Sequence, residues 1–279
     1  MGLLGASITL RILRSFSNVK AFGYSHRAST RKKARQYGVA DLIIADMGKC
    51  VADADMVIVA TPICTFEGIF KEIRGTLKEG CIVTDVGSVK TLPHKWGEKI
   101  LGKTIHYVGS HPIAGSEKRG VEFARDDLFV GSQCIVTKTA KTNAKAFSTT
   151  KKFWAALGCK VSTMSPGEHD KVLASVSHVP HVTAVALINA MSEKDIKYAG
   201  KGLTDTTRVA SGAPSVWMDI LLTNPDNTVR GINRVIKELT KLKIAVKNKN
   251  AKHIEELLCK AKRDRDALIN YKIKNKELF

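Results

Sequence analysis

A change of rhythm along the chain constrains the fold more than any single motif does. Up to about residue 164, short apolar, β-branched runs (19–24, 56–60, 81–85, 105–108, 133–137 and 160–164) alternate with helix-like segments (4–15, 30–37, 64–76 and 144–157). Apolar strands separated by helices indicate a parallel sheet covered on both faces. At Ser165 the rhythm switches. Ser165, Pro166 and Glu168 supply an N-cap, a proline at the first helical position and a capping-box partner. Only helical periodicity follows, at 166–191, 216–223, 227–247 and 251–274. The expectation is an α/β domain over residues 1–165 and an all-helical domain over 166–279.

Composition narrows the partners. The 279 residues carry a formal net charge of +19, which invites a nucleic-acid reading. The lysines concentrate instead on the polar faces of the helical patterns, and aromatics make up only 6% of the chain, too few for a base-stacking platform. No nucleic-acid partner is expected, although the charge helps draw in small anions. No apolar run approaches the roughly 20 residues needed to span a bilayer, and the N-terminus lacks a secretory layout. Six scattered cysteines (50, 64, 81, 134, 159 and 259) without a CxxC pair read as reduced thiols in a cytoplasmic protein with no membrane partner.

The chain opens Met1-Gly2-Leu3-Leu4-Gly5, directly before a helical pattern. Gly2 and Gly5 have the spacing of the second and third glycines of G-x-G-x-x-G, in which the pyrophosphate of a dinucleotide rests on the following helix N-terminus. The cofactor-binding candidates are therefore Gly2, Leu3, Leu4 and Gly5, with Thr61 and Pro62 beyond the 56–60 strand. The first glycine and its strand would lie upstream of Met1, so the native frame is expected to extend by about 5–6 residues and a glycine turn. Where an acidic residue normally bonds the adenosine ribose, the chain reads Ser25-His26-Arg27. These three residues suit a 2′-phosphate, because arginine bonds phosphate bidentately. NAD or NADP is expected as cofactor, with NADP modestly favoured.

Residues 109–120, GSHPIAGSEKRG, place His111 in what reads as a loop punctuated by Gly and Pro. Histidine moves protons near neutral pH, and glycine lets backbone approach a ligand closely. His178 and His181 stand three apart about Pro180, on one helical face. No carboxylate or third histidine stands at zinc-site spacing, so no metal is expected.

With residues 84–90 (TDVGSVK), the 109–120 segment, residues 177–181 (SHVPH) and residues 203–208 (LTDTTR), the chain resembles the prephenate dehydrogenase (TyrA) family, including arogenate and cyclohexadienyl dehydrogenases. The resemblance runs over essentially the whole chain. It implies a Rossmann-like domain, here expected to lack its first strand, a helical domain that binds substrate and dimerises, and a place in tyrosine biosynthesis. The implied reaction oxidises prephenate, or alternatively arogenate, with loss of carbon dioxide and hydride transfer to NAD(P). By motif, His111 corresponds to the catalytic histidine and Ser88 to a residue that bonds the same substrate hydroxyl; a helix cap is the other reading of Ser88. Arg208 corresponds to the arginine that binds substrate carboxylate, a task suited to a guanidinium. His181, His178, Glu117 and Trp217 are placed at or near the substrate pocket, against the plain alternatives of buried core and exposed loop. A truncated, non-catalytic dinucleotide-binding protein is the rival of a different class.

Overall fold

A computed structural model describes residues 1–114 and 120–275. Residues 1–228 form one compact unit and residues 229–279 a second. The first unit begins with α1 (Leu3–Ser15), β1 (Phe22–Tyr24), α2 (Ala28–Gln36), β2 (Leu42–Ile44), α3 (Met47–Val51) and β3 (Met56–Val59). Next come α4 (Phe66–Ile73), β4 (Ile82–Asp85), α5 (Thr91–Ile100), β5 (His106–Val108), β6 (Ser110–Ile113), β7 (Gln133–Thr137), α6 (Ala144–Ala156) and β8 (Lys160–Met164). Helical structure then continues through α7 (Pro166–Leu173), a π-helical turn (Ala174–His178), α8 (Val179–Asn189), α9 (Lys201–Thr207) and α10 (Pro214–Thr223).

Parallel pairing joins β1 to β2, β3 through β4 to β5, and β7 to β8. Among the described residues these strands fall into three hydrogen-bonded sheets, β1-β2, β3-β4-β5 and β6-β7-β8, and the last is not wholly parallel. β6 runs antiparallel to β7, with His111 opposite Ile135 and Pro112 opposite Cys134. His111 therefore sits on a strand, not in the loop that Gly109 and Pro112 lead one to expect. Proline lacks a donor and is tolerated there because β6 ends its sheet's hydrogen-bonded order. β1 is also shorter than its apolar run, since Val19 and Lys20 lie exposed outside it.

Packing follows the helical period. On α4, Phe66, Phe70 and Ile73 stand at i, i+4 and i+7, are fully buried, and pack in one cluster with Val83 and Tyr107. Each such side chain contributes about 1.5–3 kcal/mol of burial free energy. Trp154 of α6 is equally buried and meets Phe129 edge-on. The cap expected at Ser165 forms: its Oγ accepts from the Glu168 amide at 3.2 Å, with Pro166 at the first helical position. Helical structure from 166 to 189 is long and apolar enough, by length and composition alone, to cross a membrane, contrary to the expectation from apolar runs. Its polar residues His169, Asp170 and His178 are buried and hydrogen-bonded to neighbouring elements, as in a core helix. All six cysteines are free, four buried and two (Cys64 and Cys259) exposed.

The second unit holds most of α11 (Pro225–Lys247) and all of α12 (Ala251–Lys274), joined by a tight turn. Lys249 takes a left-handed φ of 51°, and the Asn250 side chain caps α12 by accepting from the His253 amide at 3.0 Å.

Candidate active site

Asp85, the last residue of β4, is fully buried and gathers donors from all sides. It is ion-paired with the buried Lys90 ammonium, and it accepts from the Tyr107 hydroxyl at 2.6 Å, the Gly87 amide at 2.7 Å and the Ser110 amide at 3.3 Å. Ser110 returns its hydroxyl to the Asp85 carbonyl at 2.5 Å and lies 2.8 Å from Thr84 Oγ1. These bonds lock the start of β6 against the end of β4, and so fix the backbone that carries His111. Burial, then the Asp85 charge, pushes the Tyr107 phenol well above its ordinary pKa. Gly109 leaves no room for a side chain: an added Cβ would lie 2.6 Å from Thr137 Oγ1 and 2.9 Å from His94 Nε2. His94 is held at a pKa of about 4 by burial and then by Lys90.

The His111 ring faces α7. Its Nδ1 lies 2.9 Å from His169 Nε2, and His169 Nδ1 lies 2.8 Å from Asp170 Oδ1. The Asp170 carboxylate closes the chain on the start of α5, accepting from the Lys90 amide at 2.7 Å and the Thr91 amide at 2.8 Å. Burial raises the Asp170 pKa, but the hydrogen bonds from His169, Thr91 and Lys90 outweigh it and leave the carboxyl below its ordinary value. Burial, followed by His169, Lys90 and His178, holds His111 well below the ordinary imidazole pKa. His169 is also lowered, by burial first. A neutral imidazole with one nitrogen tied back and the other free of protein partners among the described residues is a competent proton acceptor.

His111 opens onto a cavity of about 430 Å³ that Ser88, His178 and Trp217 also line, together with apolar walls from Ile113, Leu173 and Ile220. That volume falls within the roughly 300–1,000 Å³ of small-ligand sites. Ser88 does not cap α5, because the residue at the cap is Lys90 and its side chain makes no capping bond. Asp170 does that work, which leaves the Ser88 hydroxyl for the cavity. His178 is buried, drawn down to a pKa of about 4 by burial, and lies 3.4 Å from Asn224 Nδ2. His181 stacks flat on Trp217 with ring centroids 3.5 Å apart, and its Nδ1 is buried without a partner among the described residues. His181 itself is not among the cavity's lining residues, and neither is Arg208, which is exposed at the start of the 208–211 turn. Glu117 lies outside the described residues.

The other candidates gather at the start of α1 and the ends of β1 and β3. No side chain caps α1, and a Cβ added at Gly2 would meet nothing within 4 Å. An uncapped helix start with open space above it is a ready anion site. Gly5 has the complementary role: its Cβ position is 3.3 Å from Ala60, so glycine lets α1 pack closely beside the end of β3. The Leu3 and Leu4 side chains pack into the core, leaving main chain as what they offer a ligand. Ser25 is buried, and its Oγ accepts from the Arg27 amide at 3.3 Å, while His26 and Arg27 are exposed. Arg31 fastens the loop by donating to the Ser25 and His26 carbonyls at 2.7 and 3.0 Å. Thr61 and Pro62 are exposed just beyond β3. These residues fit a dinucleotide: main-chain donors for pyrophosphate, and exposed polar groups where the ribose would lie.

His169, Asp170 and Arg31 carry no signal of their own in the sequence. His169 and Asp170 follow an ordinary capping box, and only their juxtaposition with β6 and α5 gives them a role.

Known proteins share both halves of this arrangement. Residues 8–163 match the model of the prephenate dehydrogenase nucleotide-binding domain, and residues 165–260 that of the prephenate dehydrogenase dimerization domain. Prephenate dehydrogenase of Bacillus subtilis is 31% identical over 275 residues, covering 96% of this chain and 74% of the relative. Cyclohexadienyl dehydrogenase of Zymomonas mobilis is 30% identical over 275 residues, with 96% and 94% covered. The crystal structure of Aquifex aeolicus prephenate dehydrogenase in complex with hydroxyphenyl propionate and NAD+ superposes with a TM-score of 0.88 at 35% identity, covering 96% of this chain and 95% of that one. An α/β half with His111 on one of its strands, helical structure that brings His169 and Asp170 to that strand, and likeness along nearly the full length place this chain in the prephenate dehydrogenase family.

Proposed function

We propose that this chain is a prephenate dehydrogenase of tyrosine biosynthesis, oxidising prephenate to 4-hydroxyphenylpyruvate and carbon dioxide with NAD(P) as hydride acceptor. The observation that carries the reading is the placement of His111 and Ser88 on one small-ligand cavity, with the His111 ring tied back through Nδ1. The bound nicotinamide supplies the hydride acceptor. His111 takes the proton from the C4 hydroxyl as that carbon gains carbonyl character, and Ser88 bonds the same oxygen. The apolar walls of the cavity exclude water while the ring aromatises. Arg208, His181, His178, Glu117 and Trp217 form the substrate-binding set in this reading, with Arg208 for carboxylate.

The start of α1 would hold the pyrophosphate, as its uncapped amides and the open space at Gly2 favour. NAD is the first expectation for the cofactor, because the Aquifex enzyme was solved with NAD+. NADP is the second reading, favoured by the exposed His26 and Arg27 and the lack of a carboxylate at that turn. A homodimer fits the matched dimerization domain and the exposed apolar residues of the second unit, among them Ile236, Leu239, Leu258 and Leu268. In this reading the cofactor set lies before residue 165, and the substrate cavity draws on both sides of it, with Ser88 and His111 before and His178 and Trp217 after. Six free thiols fit a cytoplasmic enzyme.

Initial rates with prephenate and with arogenate, each with NAD and NADP, test the proposal. Reduced nicotinamide should form fastest with prephenate. A faster rate with arogenate reassigns the substrate, and no reduction with either one removes the enzyme reading.

A further inference from the structure

The buried chain from His111 through His169 to Asp170 has a direction, and the direction follows from its far end. Each Asp170 oxygen accepts a main-chain amide at the start of α5, where the helix presents its positive pole. A carboxylate held in this way is anionic, and an anionic carboxylate only accepts. The proton between Asp170 and His169 therefore belongs to His169 Nδ1. A neutral His169 then carries a lone pair on Nε2, and the 2.9 Å bond must be donated by His111 Nδ1–H. The remaining lone pair of His111, on Nε2, is left for the cavity.

We infer that His169 and Asp170 are positioning residues that fix His111 in its Nδ1–H tautomer and stabilise the imidazolium it becomes. The inference rests on the proposed role of His111 as base. When that ring takes a hydroxyl proton, the O–H bond breaks, an N–H bond forms on Nε2, and no proton need move further. The Asp170 charge, one ring away, stabilises the new cation. The opposite arrangement, a charged His169 donating from Nε2, would force His111 to hold its proton on Nε2 and leave it no basic atom toward the substrate.

The surroundings favour the neutral state of His169. The groups about the pair are Asp85 from β4, Lys90 from the turn before α5, His94 from α5, Asp170 from α7 and His178 from the π-helical turn. The buried Lys90 ammonium opposes a second cation there, and burial acts in the same sense. The two carboxylates are already engaged, Asp85 by Lys90 and Tyr107, and Asp170 by two amides.

The test reads the rings directly. In the full chain labelled with 15N-histidine at near-neutral pH, with His111→Asn used only to assign the signals, His111 Nδ1 should be protonated and Nε2 pyridine-like. A proton on His111 Nε2, or a His169 imidazolium, overturns the inference. Kinetics supply a second arm. Asp170→Asn should lower kcat by about 10²–10⁴-fold while KM for prephenate and the Kd for NAD+ stay within about threefold. His169→Gln, whose amide oxygen can still accept from His111 Nδ1–H, should retain about tenfold more kcat than His169→Phe. An Asp170→Asn enzyme with kcat within about twofold of the parent and an unchanged pH profile also overturns the inference. If Asp170→Asn does not fold, the ring signals of the parent chain decide alone. A chain with the expected ring state but no prephenate turnover refutes the proposed activity and supports the tautomer.

Discussion

Around His111, the groups Asp85, Lys90, Tyr107, Ser110, His169 and Asp170 are bonded to one another or to adjacent main chain. The start of α1 and the turn after β1 are built differently. There the helix is uncapped, Gly2 has open space, and His26 and Arg27 face outward. The first region is organised before any ligand arrives, as a centre that must hold one proton geometry needs to be. The second leaves donors for a ligand to complete. The contrast predicts that changes in the first region alter kcat or the fold itself, and that changes in the second alter the cofactor constant.

The sharpest break of that contrast is His111→Asn. Turnover should drop by about 10²–10⁴-fold while cofactor affinity, read by nicotinamide binding, stays near the parent value. Near-normal turnover would remove His111 from its role. Next in size is Lys90→Met, which leaves the Asp85 carboxylate buried without its cation. Urea unfolding should show a loss of about 3–5 kcal/mol, and a loss under about 1 kcal/mol would mean that the three other donors to Asp85 suffice.

Acid sharpens the same distinction. His94 and His178 have folded pKa values near 4 against an ordinary 6.5, so between those limits the unfolded chain binds more protons than the folded one. Stability therefore falls as pH drops from 6.5 toward 4, by up to roughly 3 kcal/mol for each ring. Over the upper part of that window the depressed His111 pKa keeps the base neutral, so kcat/KM should hold its plateau at pH 6.5. An acid limb already half-fallen at that pH would contradict the depression. The smallest expected effect belongs to the outward-facing region. Arg27→Ala should raise KM for NADP by about tenfold, in line with loss of one charged hydrogen bond, and barely change KM for NAD. Equal effects on both cofactors would assign Arg27 to the turn alone.

The sequence discloses these two regions unequally. Long periodic elements such as α1, α6, α11 and α12 are legible, and so are strands with continuous apolar runs. β6 is hidden because Gly109 and Pro112 flank His111 and read as loop punctuation, while the pairing with β7 that makes it a strand is long-range. α5 is hidden by Pro93 and Gly97, yet Gly97 is where α5 meets the Tyr107 ring, since a Cβ there would lie 2.6 Å from it. β2 has only three residues, too few for a period to show. His111 and Ser88 stand out by motif. His169 and Asp170 do not, because their function comes from what folds against them.

Asp170 has a consequence for how such a chain can be divided. It lies beyond the Ser165 cap, among the residues that match the dimerization model, yet its oxygens terminate a helix of the preceding half, and the adjoining ring orients a histidine borne by that half. The two segments are therefore not interchangeable cassettes. A graft of the helical half from another protein would have to bring a His-Asp pair to the same turn, or the recipient's α5 would lose its terminus and its strand histidine would lose its orientation. The residues on the two sides of residue 165 are thus tied to one another by geometry, and a change on either side is felt on the other.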